Sequence, residues 1–121
     1  MNLDNFKIQI RKITDFSEDE CLMFIPYLNR KKLEKGEYLI REKETVNEIA
    51  FIEKGVLRLF YLSNDGKEVN SHFFLANDYA VPYLDFLKNR PSRYYLQALE
   101  DCELLTFNAE SLQIAYDNSK N

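Results

Sequence analysis

One histidine, two cysteines and no tryptophan occur in 121 residues, and this scarcity removes most catalytic chemistries at the outset. A metal site inside a barrel gathers several His and carboxylate ligands in one set, which the lone His72 cannot supply. There is no second histidine, glycine-rich phosphate loop or GxSxG turn, so no nucleophile–base constellation is visible. Cys21 and Cys102 lie far apart and form no CxxC pair. They are too few for an iron–sulfur cluster, which takes about four thiolates. Such cysteine usage fits a reducing cytoplasm better than a disulfide-stapled secreted domain. Cys102 sits between Asp101 and Glu103, which disfavour a thiolate, and both cysteines read as small buried hydrophobes. No apolar run approaches the roughly 18 residues of a membrane span, and the start MNLDNFKIQIRKITDF has no signal-peptide core.

Positive charge is also short. Sixteen Lys and Arg face 20 Asp and Glu, for a net charge of −4. A chain of that balance lacks the clustered cations that grip a phosphate backbone. The one basic cluster, Arg30-Lys31-Lys32, reads as the solvated approach to a strand.

What the chain does have is apolar and β-forming. Hydrophobic residues make up 45 % and aromatics 14 %, all Phe and Tyr, enough for one domain with a packed core. Residues 17–28 carry a helix-start signal, with Ser17 as cap and Glu20 completing a capping box. Pro26 disturbs the last turn of that helix. Strands are expected at 37–42, 48–53, 56–62 and 67–75, with Asp65-Gly66 marking a hairpin. A short helix is expected at 83–89, strands at 93–99 and 102–107, and a last helix at 109–117. Gly36, Gly55 and Gly66 all fall between strands.

That order resembles the sensory domain of the catabolite-activator/FNR-type bacterial transcription regulators, within the cyclic-nucleotide-binding superfamily. The resemblance rests on LEKGEYLIREKE at 33–44, IAFIEKGVLRLFYLSNDGKEV at 49–69 and ALEDCELLTF at 98–107. It implies a mainly β fold with flanking α-helices, a double-stranded β-helix (jelly-roll) barrel. The whole of 1–121 is then one sensor domain, with the barrel over about 14–108 and a C-terminal helix starting at 109–121. In the family such a helix pairs two subunits, hence an expected homodimer, and leads into a DNA-reading helix-turn-helix. No recognition helix lies within these 121 residues, so DNA binding is expected only through a domain outside them. No cofactor, no membrane contact and no enzymatic activity is expected. A haem-ligand role for His72 is conceivable in this regulator family, but a lone strand histidine reads as structural.

The resemblance also locates a candidate ligand site at 77–99, NDYAVPYLDFLKNRPSRYYLQAL. Nucleotide-binding members carry Gly-Glu before the short helix and Arg followed by Ser or Thr after it. The Glu holds the ribose and the Arg pairs with the cyclic phosphate. In a gapless alignment those four positions fall on Val81, Pro82, Ser92 and Arg93. Arg90 and Arg93 are therefore the candidate anion clamp, beside Ser92. Tyr83 and Tyr95 are candidate ring contacts. Val81 and Pro82 border the site but add bulk and remove a donor. On the strand, Arg93 is one step out of phase with Ser92, so the two point to opposite faces. The sequence thus predicts a ligand-sensing regulatory domain whose cyclic-nucleotide specificity is altered or lost. The ligand would be a small-molecule anion or a nucleotide-like compound. The alternative is a degenerate, ligand-free barrel acting as a protein-interaction or dimerisation module.

Overall fold

Short strands of two to seven residues dominate the described part of the chain. The computed structural model describes residues 25–108, together with Ser17, Asp19, Leu22 and Glu110. The strands are β1 (Asn29–Leu33), β2 (Tyr38–Ile40), β3 (Glu48–Lys54), β4 (Leu57–Leu62), β5 (Glu68–Phe74), β6 (Tyr79–Ala80), β7 (Tyr95–Ala98) and β8 (Cys102–Asn108). One helix, α1 (Tyr83–Leu87), falls between β6 and β7. The six expected strands are thus present, β2, β4, β5 and β7 with narrower bounds and β3 and β8 each one residue longer. The helix expected over 17–28 lies largely outside the described residues. Asp19 and Leu22 are helical, and Ile25–Tyr27, around Pro26, forms a 3-10 turn. The last expected helix and Cys21 also lie outside them, apart from a helical Glu110.

The strands form two antiparallel four-stranded sheets, in the orders β1-β8-β3-β6 and β2-β7-β4-β5. Their buried residues share one apolar cluster. Leu33, Ala50, Ile52 and Leu104 come from the first sheet, and Ile40, Leu57, Leu59, Leu96 and Ala98 from the second. Each leucine or isoleucine so buried contributes about 1.5–3 kcal/mol. The hairpin joining β4 and β5 closes where Asp65-Gly66 was expected to turn it. Ser63 N–H donates to Lys67 O at 2.8 Å and Gly66 N–H to Ser63 O at 2.9 Å. Cys102 is buried at 2 % exposure. Burial pushes its thiol pKa up, reinforced by the charges of Glu100 and Asp101, as expected for an inert structural cysteine.

One sequence expectation needs refinement. Arg30-Lys31-Lys32 does not merely approach a strand; it is β1, the edge of the first sheet, paired from Asn29 with Thr106 to Leu33 with Cys102. Four of its five residues are exposed and only Leu33 is buried. Lys and Arg on an edge strand oppose pairing with a second chain, so the cluster stays solvated although it is sheet. Arg30 Nη1 lies 3.2 Å from Glu53 and Lys32 Nζ lies 4.0 Å from Glu103.

Candidate functional site

β6 delivers the chain to Val81 and Pro82, where α1 begins. Pro82 has φ −71° and precedes the first helical residue, a place where its missing N–H removes no helical hydrogen bond. Its carbonyl accepts from Phe86 N–H at 3.0 Å. The helix lasts five residues to Leu87, with Lys88 as its C-cap, and Asn89 after it has a left-handed φ of 51°, a conformation Asn tolerates. The chain then turns through residues 90–93 into β7.

Asp85 holds that turn. It is the one carboxylate among the described residues with no exposed surface. Its Oδ1 accepts from Arg90 Nε at 2.5 Å and Arg93 Nε at 3.1 Å, and its Oδ2 from the Arg93 backbone N–H at 3.0 Å. Burial works to raise its pKa. The Arg93 amide, the Arg90 side chain and the Arg93 charge outweigh burial and hold the carboxyl below its ordinary value. Asp85 is therefore a buried anion already paired with both candidate arginines.

Ser92 fixes the other side of the loop. It is 2 % exposed. Its hydroxyl donates to Tyr94 O at 2.7 Å and accepts from Tyr94 N–H at 3.0 Å. Its backbone bonds to the 43–44 turn through Lys43 N–H at 2.7 Å and Glu44 O at 2.8 Å. Replacing Ser92 with Ala strands a buried amide and should cost about 1–2 kcal/mol. Urea unfolding should show this as a lower midpoint at unchanged slope.

A cleft of about 600 Å³ opens between the two sheets. Leu59 and His72, directly paired across β4 and β5, line one side with Phe74. Ile49 of β3, Tyr79 of β6, and Val81 and Tyr83 from the start of the cassette line the other. His72 and Phe74 stand on the same face of β5, their rings 4.6 Å apart, as period-two alternation requires.

The seven candidate residues thus divide. Val81 and Tyr83 line the cleft. Pro82 is buried beneath α1. Arg90 and Arg93 bind Asp85, and Ser92 bonds within its own loop. Ser92 is buried and Arg93 exposed, but both lie in the loop before β7, so strand alternation is not what separates them. Tyr95 belongs to a different surface. Its ring stacks on Phe60 at 5.0 Å and meets Tyr38 edge-on at 5.7 Å, and its hydroxyl donates to Glu42 at 3.4 Å. Asp85 was not among the residues the sequence singled out. The signal was there in an acid between Leu84 and Phe86 on an apolar helix, followed by arginines five and eight residues on.

Residues 30–119 match the family model described as the cyclic nucleotide-binding domain. An anaerobic regulatory protein of Bacillus subtilis is 34 % identical over 86 residues, 69 % of this chain and 35 % of the relative. The chain therefore spans about a third of that relative's length. Among solved structures, the catabolite activator protein of Thermus thermophilus superposes with a TM-score of 0.74 at 17 % identity, over 86 % of this chain and 48 % of its own. The regulatory subunit of a cAMP-independent protein kinase A from Trypanosoma cruzi, bound to guanosine, gives 0.74 at 20 % identity, over 84 % of this chain and 36 % of its own. The Bacillus subtilis relative is named as a regulatory protein and the Trypanosoma cruzi one as a regulatory subunit. The chain belongs to the cyclic nucleotide-binding domain family, as the kind of domain carried by catabolite-activator/FNR-type regulators.

Proposed function

We propose that this chain is the ligand-sensing domain of a catabolite-activator/FNR-like regulator whose specificity has moved away from cyclic nucleotides. The observation that carries the reading is Asp85, which already accepts hydrogen bonds from both arginines of the cassette. A cyclic phosphate would have to share those arginines with a fully buried carboxylate. Leaving such a charge uncompensated costs several kcal/mol, and the phosphate would add a second negative charge beside it. Val81 and Pro82 replace the Gly-Glu pair that would meet the ribose. The same fold in the Trypanosoma cruzi protein is cAMP-independent and bound to guanosine, a nucleoside without phosphate.

The strand orders β1-β8-β3-β6 and β2-β7-β4-β5 support a jelly-roll reading of the two sheets, with helices at its ends. The domain acts without catalysis. A ligand between the sheets biases the cassette, and through it whatever follows Asn108, by population shift. In the longer regulator the ligand would thereby govern pairing of two copies and DNA binding, in the cytoplasm. Among the described residues, no helix is long and apolar enough to cross a membrane.

The test is a thermal-shift titration of the chain with cAMP and cGMP. A ligand at one hundred times its dissociation constant adds about 2.7 kcal/mol, several degrees for a domain of this size. The expected result is no shift with either nucleotide, and a saturable shift of several degrees would refute the altered specificity. Leu84 and Leu87 on α1, 52 % and 55 % exposed, favour a second reading, a ligand-free module that binds protein. That reading gains if no small molecule shifts the transition while Leu84→Ser, Leu87→Ser weakens self-association in sedimentation.

A further inference from the structure

We propose that the cleft between the sheets takes an uncharged, flat and mostly apolar molecule. This rests on the reading of the chain as a ligand sensor and names the class of ligand. Ile49, Leu59, Phe74 and Val81 give the cleft aliphatic and aromatic walls, and Tyr79 and Tyr83 add two further rings. None of the described lining residues is Lys, Arg, Asp or Glu. An ion seated there would lose water without gaining a counter-charge.

Three arginines, of the cassette and of β4, have partners outside the cleft. Arg90 and Arg93 are held by Asp85. Arg58 is next to Leu59 on β4 and so points to the opposite face. It donates to Gln97 Oε1 at 2.7 and 2.9 Å and to Glu68 Oε1 at 3.1 Å, with its guanidinium 4.0 Å from the Phe60 ring centre. Val81 brings a side chain into the cleft lining beside Tyr83, where the family's pattern has glycine. Aromatic rings in the walls suit a planar ligand, since offset and edge-on ring contacts both stabilise it. The His72 imidazole and the tyrosine hydroxyls supply the few polar contacts that fix orientation in such pockets. The cleft's volume of about 600 Å³ suits a ligand of two or three fused or linked rings.

Two dyes with the same ring system isolate the effect of charge. N-phenyl-1-naphthylamine is neutral, and 8-anilino-1-naphthalenesulfonate is its sulfonated counterpart. Fluorescence titration of the 121-residue chain should show saturable uptake of about one neutral dye per chain. The sulfonate should bind at least about tenfold more weakly, the ratio of one decade in affinity. Val81→Phe, which fills the cleft, should abolish uptake. Tyr83→Ala, at a side chain 63 % exposed, should weaken it without lowering the melting temperature. Equal or tighter binding of the sulfonate would overturn the proposal, as would neutral-dye uptake that neither variant alters. If neither dye binds but cAMP does, the altered specificity fails as well. If neither dye nor cAMP binds, this ligand class alone fails.

Discussion

Replacing Asp85 with Ala should lower the melting temperature by on the order of 10 °C. Asp85 has no exposed surface and accepts three hydrogen bonds, two of them from arginine side chains. Hydrogen bonds to charged groups contribute roughly 1.5–3 kcal/mol each when measured singly. The sum is discounted here because the Arg90 and Arg93 side chains are 32 % and 55 % exposed, so water takes over part of the lost bonding. A net loss of about 2–3 kcal/mol remains, and about 3–6 °C per kcal/mol applies to a chain of this length. Conservative Asp85→Asn should fall between the variant and the parent, because the amide keeps one acceptor but presents donors to the arginines.

The pH dependence separates charge from packing. The folded carboxyl pKa lies below its ordinary value, so the charged form stabilises the fold. That contribution is complete above the unfolded value of about 3.9 and is lost as pH falls through the folded value. The stabilities of parent and Asp85→Asn should therefore differ at neutral pH and converge below about pH 4. Parallel curves down to the acid limit would show that the carboxylate acts through shape alone. Urea midpoints measured across pH make the comparison.

Gly55→Ala should be comparably damaging for a different reason. Gly55 joins β3 to β4 at φ +109°, and a Cβ there would lie 2.5 Å from Cys102 Sγ, 2.8 Å from Asp101 O and 2.9 Å from Cys102 Cα. Two of those three atoms are backbone, so relief requires β8 to move. Strained backbone costs of order 1–3 kcal/mol and overpacking typically another 1–3 kcal/mol, giving roughly 2–6 kcal/mol together. Gly66 is the control. It has φ +82° with nothing within 4 Å of a built Cβ, so Gly66→Ala should cost only the backbone part, about 1 kcal/mol. Gly55→Ala combined with Cys102→Ala should recover little, since the two backbone contacts persist. Equal midpoints for Gly55→Ala and Gly66→Ala would show that close approach of β8 is not what demands glycine at 55.

Much of this architecture was legible because it is local. Tyr95–Ala98 bury every second residue, Leu96 and Ala98, and Asp65-Gly66 announces its hairpin. β3 is less legible. Ala50, Phe51 and Ile52 are consecutively buried, and only its length and its two isoleucines identify it. Elements with weak local character were harder still. β1 carries three consecutive cations, and its strand geometry comes from pairing with β8, some seventy residues away in sequence. β6 has two residues and exists because Ala50 and Phe51 pair with Ala80 and Tyr79.

The site follows the same division. The cassette's place in the chain was readable from residue order, and so was its departure from a phosphate-binding pattern. The different burial of Ser92 and Arg93 comes from the loop between α1 and β7, not from the strand alternation the sequence suggested. What the arginines do instead was not readable, because it depends on α1 turning Asp85 inward toward residues 90–93. The cleft was hidden for a similar reason. Its walls are drawn from β3, β4, β5 and β6, and strand pairing across two sheets sets which side chains meet. His72 read as structural on ligand count alone; only its pairing with Leu59 places it at a cleft.

The central claim is that Asp85 occupies the arginines that would otherwise hold a cyclic phosphate. Isothermal titration calorimetry of cAMP into the 121-residue chain tests it most directly. The account predicts no saturable heat at ligand concentrations up to about 1 mM, the range corresponding to binding weaker than about −4 kcal/mol. One-to-one binding with a dissociation constant near 10 μM or below, lost in Arg93→Ala, would contradict it.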